Sequence, residues 1–160
     1  MKILLPILLA TSLISCGAAR ADALWRSALL GTWAVQVARL PMPPEARPKS
    51  VTIQFAKAAG GRLTTRVQVV DPQGSTLQAE AVYTLDGTPT PVVGLLEADM
   101  GAITMPAPDV LVMQLARAGT PASTRVYTVS ADRRQMIETS AYVGADGRPV
   151  MRTFYFTRVR

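Results

Sequence analysis

Apolar and polar residues alternate along most of the chain after residue 30, and this alternation predicts an all-β fold. It is strictest in segments 51–55 and 77–81, where every second residue is apolar. A strand with one buried face shows this period of two, because successive side chains point to opposite sides of the sheet. The same tendency recurs in segments 33–37, 63–69, 111–115, 125–129, 137–143 and 154–156.

Turn-forming residues separate these segments and predict hairpins. Examples are the runs at 71–74, 86–87 and 146–147, which combine Asp with Gly. Such residues supply a positive φ or a preset turn, and short connections pair consecutive strands antiparallel. Eight to ten strands in meander order favour an up-and-down β-barrel over a two-sheet sandwich, since closure removes the exposed edges. The first strand should therefore pair with the last, at about residues 151–159.

The parity of the alternation predicts which side chains point inward. Expected inside are Val51, Ile53 and Phe55 on one strand, and Leu77, Ala79, Ala81 and Tyr83 on another. By the same reasoning, Glu80 and Glu138 fall on the polar, outward faces of their strands.

Three other segments depart from the strand pattern. Residues 22–30 have helical spacing of apolar residues and are expected to form a short helix that ends at Gly31. Residues 41–48 contain four prolines and should form a loop between the first two strands. Residues 88–109 are rich in Pro and Gly but hold two short candidate strands, at 92–95 and 102–105. Residues 22–160 are thus expected to form a single domain.

Residues 1–21 have the features of an export signal. Lys2 precedes a mostly apolar run at 3–14, which is shorter than the roughly 20 residues that a membrane-spanning helix needs. Cleavage after Ala21 would release the mature chain, whereas residues 13–16 resemble a bacterial lipobox with Cys16 as the lipidated residue. Both alternatives predict an exported, periplasmic protein. The second alternative adds a lipid anchor at Cys16, which would be the only attachment of the protein to a membrane. The resemblance to bacterial lipoproteins implies that this membrane is the outer one.

Composition removes several classes of chemistry. The chain has no His, and its one Cys lies in the export signal. Ser-His-Asp catalysis, imidazole metal sites and zinc clusters therefore lack their residues, and no cofactor or metal is expected. Seventeen basic residues face 11 acidic ones, but they are scattered, whereas nucleic-acid binding needs them clustered on one face. No nucleic-acid partner is expected.

Carboxylates give no sign of a catalytic pair. Asp71, Asp86, Asp132 and Asp146 lie at predicted turns, which is sufficient reason for their presence. Glu97 and Asp99 lie in the Gly/Pro-rich segment and are expected to face water. The sequence thus predicts a protein that is not an enzyme and has no catalytic residues.

The opening Gly31-Thr32-Trp33, together with an Arg near the end of the last strand, resembles the lipocalins and the wider calycin superfamily. The resemblance implies an up-and-down barrel in which Trp33 closes one end and Arg158, or failing that Arg160, packs over its ring. The layout is also similar to small exported bacterial lipocalin-like proteins, through the segments 130–132 and 146–150. The resemblance to that group implies a fold but does not imply an activity.

Two functions remain open at this point. The first is a barrel that binds a small apolar or amphipathic ligand. Its candidate lining residues are Phe55, Tyr83, Phe154 and Phe156, with Arg152 placed to meet a carboxylate. The alternative is a filled barrel that acts as an interaction module of the cell envelope, with the 41–48 loop as its contact surface. The sequence leaves the oligomeric state open.

Overall fold

The fold is known from a computed structural model that describes Leu24, residues 26–94 and residues 97–159. The predicted export signal with Cys16, most of the first half of the predicted helix, and Arg160 lie outside these residues. The strands are β1 (Gly31–Val35), β2 (Ser50–Ala58), β3 (Arg62–Val70), β4 (Thr76–Tyr83), β5 (Thr90–Pro91), β6 (Val93–Gly94), β7 (Met100–Ala107), β8 (Val110–Arg117), β9 (Thr120–Val129), β10 (Gln135–Val143) and β11 (Pro149–Arg158).

The strands form one antiparallel sheet that curls into a nearly closed barrel. Their order is β5-β7-β8-β9-β10-β11-β1-β2-β3-β4-β6, so seven of the ten neighbouring pairs of described strands are consecutive in the chain. β1 pairs with β11, as predicted for barrel closure. The all-β, up-and-down barrel is therefore confirmed. Nine of the described strands have five or more residues, within the predicted eight to ten, and β5 and β6 add two residues each.

The seam of the barrel lies in the middle of the chain, between β4 and β7. The two-residue strand β6 pairs with β4, and β5 pairs with β7, so the sheet order ends at these two short strands. Across the seam, the backbone N–H of Gly87 donates to the carbonyl of Ile103 at 2.9 Å. Tyr83 packs directly on Gly101, where an added Cβ would lie 2.5 Å from the Tyr83 hydroxyl oxygen. Side-chain packing joins β4 to β7 where a continuous hydrogen-bond ladder does not.

Burial confirms most of the predicted parity. Ile53, Phe55 and Tyr83 are buried, and on β8 the same holds for Leu111, Met113 and Leu115. The prediction was wrong for Leu77, which is 40% exposed. Leu77 is the second residue of β4, opposite Val69 of β3, and the first three residues of this strand are all exposed.

The parity prediction was also wrong for Glu138. Glu138 is only 4% exposed, and its neighbours Met136 and Ser140 on the same face of β10 are buried too. The apolar residues of opposite parity, Ile137 and Val143, are exposed. Hydrophobicity therefore misidentifies the inner face of β10, whose register opposite β9 and β11 fixes it instead.

The connections agree with the predicted loops. The segment between β1 and β2 carries the prolines and contains two single 3-10 turns, Val37–Arg39 and Pro44–Ala46. In the part of the predicted N-terminal helix that is described, the N–H of Ser27 donates to the carbonyl of Leu24, and turns follow up to Gly31. No helix in the described part of the chain is both long and apolar enough to cross a membrane.

Candidate functional site: the polar mouth of the barrel

One end of the barrel, here called the closed end, is sealed by Trp33 and Arg158. The two residues are register partners on β1 and β11, and the Arg158 guanidinium carbon lies 4.0 Å from the centroid of the Trp33 ring. Trp33 is fully buried, and its indole N–H donates to the carbonyl of Leu29 at 2.7 Å. The expected stacking of Arg158 on Trp33 is thus present in the structure.

Arg158 also ties three chain segments together at the closed end. Its guanidinium donates to the carbonyls of Ala28 (2.5 Å), Leu30 (2.7 Å) and Arg133 (2.7 Å). Gly31 is required at this point because its φ is +127° and an added Cβ would lie 2.5 Å from the Arg158 Nη1 atom. The Gly of the Gly-x-Trp opening therefore makes room for the arginine.

The middle of the barrel is filled by aromatic and aliphatic side chains. Phe55 and Phe156 both contact Tyr127, with ring centroids 5.5 and 6.5 Å from it in edge-to-face geometry. All three residues are buried, and so is Tyr83. Of the ligand-binding candidates predicted from the sequence, Phe55, Tyr83 and Phe156 thus belong to this packed core.

The opposite end is polar, and its inward residues come from β9, β10 and β11. Successive inward rows across these three strands change from apolar to charged. The rows, by register, are Val129–Met136–Phe156, then Tyr127–Glu138–Phe154, then Arg125–Ser140–Arg152. Arg152 is six residues before Arg158 on β11, so the charged row lies about 20 Å along the strand from the closed end.

This end, here called the polar mouth, forms an open cleft of about 290 Å³. Its lining consists of Glu97, Ala122, Ser123, Arg125, Ser140, Tyr142, Arg152 and Phe154. The structure therefore brings Arg152 and Phe154, both predicted from the sequence, into one cleft. The Arg152 guanidinium carbon lies 5.6 Å from the centroid of the Tyr142 ring, which keeps it near the rim.

Arg125 is the central charge of the mouth. Its side chain is 20% exposed and forms ion pairs with two carboxylates, that of Glu97 at the rim and that of Glu138 beneath it, the latter at 3.4 Å. Its Nε donates to the Ser123 hydroxyl at 3.4 Å. Burial opposes the charge on Arg125, but its interactions with Tyr127, Glu138 and Glu97 outweigh burial and hold its pKa above the usual value.

Glu138 and Tyr127 lie below Arg125 and are linked to it. Burial raises the pKa of the Glu138 carboxyl, and the attraction of Arg125 only partly offsets this. Burial also raises the pKa of the Tyr127 hydroxyl, which is hydrogen-bonded with the side chains of Glu138 and Arg125. Oε1 of Glu138 is buried without a hydrogen-bond partner among the described residues. Its ion pair with Arg125 offsets part of the cost of burying this carboxylate oxygen.

Sequence reasoning missed Arg125, Glu138 and the contact of Glu97 with Arg125. Arg125 begins the predicted strand segment 125–129 but was counted only among the scattered basic residues of the chain. Glu97 was expected to face water. Its side chain is indeed 51% exposed, but its carboxylate reaches Arg125 across 28 residues of sequence. One usable signal existed, since Arg125 shares the parity of Tyr127 and Val129. Asp99 pairs elsewhere, accepting a hydrogen bond from the N–H of Ala118.

In the part of the chain that the structure describes, no three Asp, Glu, Cys or His residues are arranged to hold a metal ion. The polar groups of the mouth are instead two guanidinium groups, a buried carboxylate, a rim carboxylate and hydroxyls. Such a set can bind an anionic group by charge-assisted hydrogen bonds.

Comparison with known proteins gives little that bears on this site. No protein family and no curated protein matches the sequence. Among solved structures, the chain is similar to the zebrafish ileal bile acid-binding protein in a crystal structure with cholic acid. The TM-score is 0.49 at 15% sequence identity, over 83% of this chain and 100% of that one.

Proposed function

We propose that this protein binds a small amphipathic ligand, with the anionic head group of the ligand held at the polar mouth. The observation that carries the proposal is the inward row Arg125–Ser140–Arg152, which lies directly above a row with the aromatic residues Tyr127 and Phe154. The charged head group of a ligand would contact the arginine row, and its apolar part would contact the aromatic row beneath it.

The guanidinium groups of Arg125 and Arg152 suit an anion for a physical reason. Each offers several N–H donors in a plane, which matches the two oxygens of a carboxylate. Arg125 is mostly shielded from solvent, so its attraction for an anion is screened less than that of a surface arginine. Phe154 and the Tyr142 ring supply apolar surface beside them.

The size of the cleft limits the ligand. Small-molecule sites typically occupy about 300–1,000 Å³, and the cleft of about 290 Å³ lies just below this range. The packed core formed by Phe55, Tyr127 and Phe156 closes the cleft from below. A short alkyl chain or a single ring system fits this space better than a long fatty chain.

Calorimetric titration with octanoate tests the proposal. Saturable binding is expected, with octanol weaker because it lacks the charge. A lost hydrogen bond to a charged group costs about 1.5–3 kcal/mol, so Arg152→Gln should weaken octanoate binding by roughly ten- to a hundredfold. The matched control is Arg39→Gln, because Arg39 stacks on Tyr155 on the outer wall. Absence of saturable binding by octanoate and by octanol would contradict the proposal.

The packed core also favours a second candidate, the interaction module with a filled interior. Between the two arginines of the mouth and the closed end, the rings of Phe55, Tyr127 and Phe156 are buried and in contact. If the barrel is such a module, octanoate gives no heat of binding. The same titration thus separates the two functions.

We also propose that the chain is exported to the cell envelope, and that Cys16 is lipidated. The support is the sequence of residues 1–21. Replacement of Cys16 by Ser should then abolish membrane association in cell fractionation and leave a soluble periplasmic form. Parent and variant that fractionate alike, with equal mass, would contradict the anchor.

A further inference from the structure

Two carboxylates contact Arg125, and that of Glu97 at the rim is the solvent-exposed one. Glu138 holds this guanidinium from beneath, within the protein, and Glu97 approaches it from the loop between β6 and β7. The Glu97 side chain is 51% exposed, whereas that of Glu138 is 5% exposed. A ligand that enters the cleft from solvent therefore meets the Glu97 side of Arg125 first.

We propose that the Glu97 carboxylate marks the head-group position of the ligand, and that the ligand is a monocarboxylate which displaces Glu97 from Arg125. This inference rests on the proposed function and adds the charge and chemical class of the head group. A carboxylate of the chain itself already fills the place that a ligand carboxylate would take.

The charges around Arg125 favour a ligand head group that carries a single negative charge. Arg125 and Arg152 are cationic, and Glu97 and Glu138 are the acidic groups that face Arg125. Exchange of the Glu97 carboxylate for a ligand carboxylate leaves the net charge of the mouth unchanged. A dianionic head would add a further negative charge close to the buried Glu138, where repulsion is weakly screened.

The exchange also fits the low stability of an ion pair at a rim. The Glu97 side chain is 51% exposed, and ordering it against Arg125 costs side-chain entropy that offsets part of the attraction. A ligand whose apolar part packs on Phe154 gains this burial in addition to the same charge interaction. Glu97 is therefore a weak competitor, which lowers ligand affinity without blocking the site.

Calorimetry with octanoate, octyl phosphate and octanol at pH 8 tests this on the parent, Glu97→Gln and Glu80→Gln. Glu80 is the matched control because it forms a half-exposed ion pair with Arg66, at 2.9 Å, on the outer wall. Glu97→Gln should bind octanoate about three- to tenfold more tightly than the parent, and Glu80→Gln should match the parent. Octyl phosphate, which is close to dianionic at this pH, should bind the parent more weakly than octanoate does.

The outcomes separate this inference from the function on which it rests. Equal octanoate affinity in the parent and Glu97→Gln would overturn the inference while leaving the binding function intact. Tighter binding of octyl phosphate than of octanoate by the parent would overturn the monocarboxylate assignment in the same way. If none of the three chains binds any of the three probes, the proposed function itself fails.

Discussion

Replacement of Arg158 by Ala tests the energetic role of the closed end. The side chain stacks on Trp33 at 4.0 Å and donates to three backbone carbonyls, those of Ala28, Leu30 and Arg133. The variant loses the stacking and all three hydrogen bonds, and it also exposes the indole ring that the guanidinium covers.

The magnitude follows from these contacts. A hydrogen bond contributes about 1 kcal/mol net, and a partly solvated cation–π contact about 0.5–1 kcal/mol. Because the freed carbonyls near the surface regain water, the total should be about 2–4 kcal/mol. Arg158→Lys should cost somewhat less, since one ammonium group can keep at most part of the contacts and stacks poorly.

Urea unfolding monitored by tryptophan fluorescence measures the effect. Trp25→Phe serves as the parent, so that the emission reports Trp33 alone. Arg152→Ala is the matched control, because Arg152 is another inward arginine of β11 but lies at the polar mouth. Arg158→Ala should lower the midpoint and shift the Trp33 emission to the red, whereas Arg152→Ala should change neither much. Equal stability and equal emission of the two variants would refute the reasoning.

Three further predictions concern the core and two carboxylates. Phe55→Ala should lower the free energy of unfolding by about 3–5 kcal/mol, since Phe55 is buried against another ring. Leu77→Ala, at an exposed position, should lower it by less than about 1 kcal/mol. Comparable losses for the two variants in urea unfolding would contradict the assigned inner face. Burial raises the pKa of Glu138 above 4.5, so the folded chain keeps a proton there that the unfolded chain releases. Relative to Glu138→Gln, the parent should therefore lose stability as the pH rises from 4.5 through the raised value, and parallel pH profiles of unfolding would argue against this burial. Hydrogen bonds donated by the Thr84 hydroxyl and by a backbone N–H lower the pKa of Asp86 to about 2. The stability that they contribute should be lost as the pH falls from 3.8 towards 2, and this acid loss should be missing from an unfolding profile of Asp86→Asn.

Sequence periodicity predicted the barrel because the chain obeys it where burial is strongest. On β2 the apolar face contains Ile53 and Phe55, both buried. The turn residues place successive strands side by side, and the pairing of β1 with β11 follows from closure of a meander. Local pattern and global fold agree in these elements, so the pattern alone is sufficient.

The polar mouth could be predicted only in part, because its inner residues are polar where the pattern assigns apolar ones to the inside. Arg152 and Phe154 were found through their shared parity on β11. Glu138 was assigned to the wrong face, since Ile137 beside it is more hydrophobic yet exposed. Its burial depends on an ion pair with Arg125 from another strand, and a pairing between strands leaves no periodic trace in either one.

The contact of Glu97 with Arg125 was beyond sequence reasoning for a related reason. It joins a loop to a strand, and the position of a loop depends on the rest of the fold. The seam between β4 and β7 also depends on the rest of the fold and was not predicted from the sequence. Pairing of β1 with β11 implied a closed barrel, whereas the Gly- and Pro-rich segment after β4 divides into β5 and β6 on opposite sides of an opening.

Isotope-filtered NOE spectroscopy with uniformly ¹³C-labelled octanoate tests the binding site most directly. The central claim is that the ligand lies in the polar mouth, with its head at Arg125 and its chain on Phe154. Cross-peaks are therefore predicted from the alkyl chain to Phe154 and Ala122, which line the cleft. Octanoate that is bound at saturation, but shows cross-peaks only to outer-wall residues such as Thr52 and Gln54, would contradict the account.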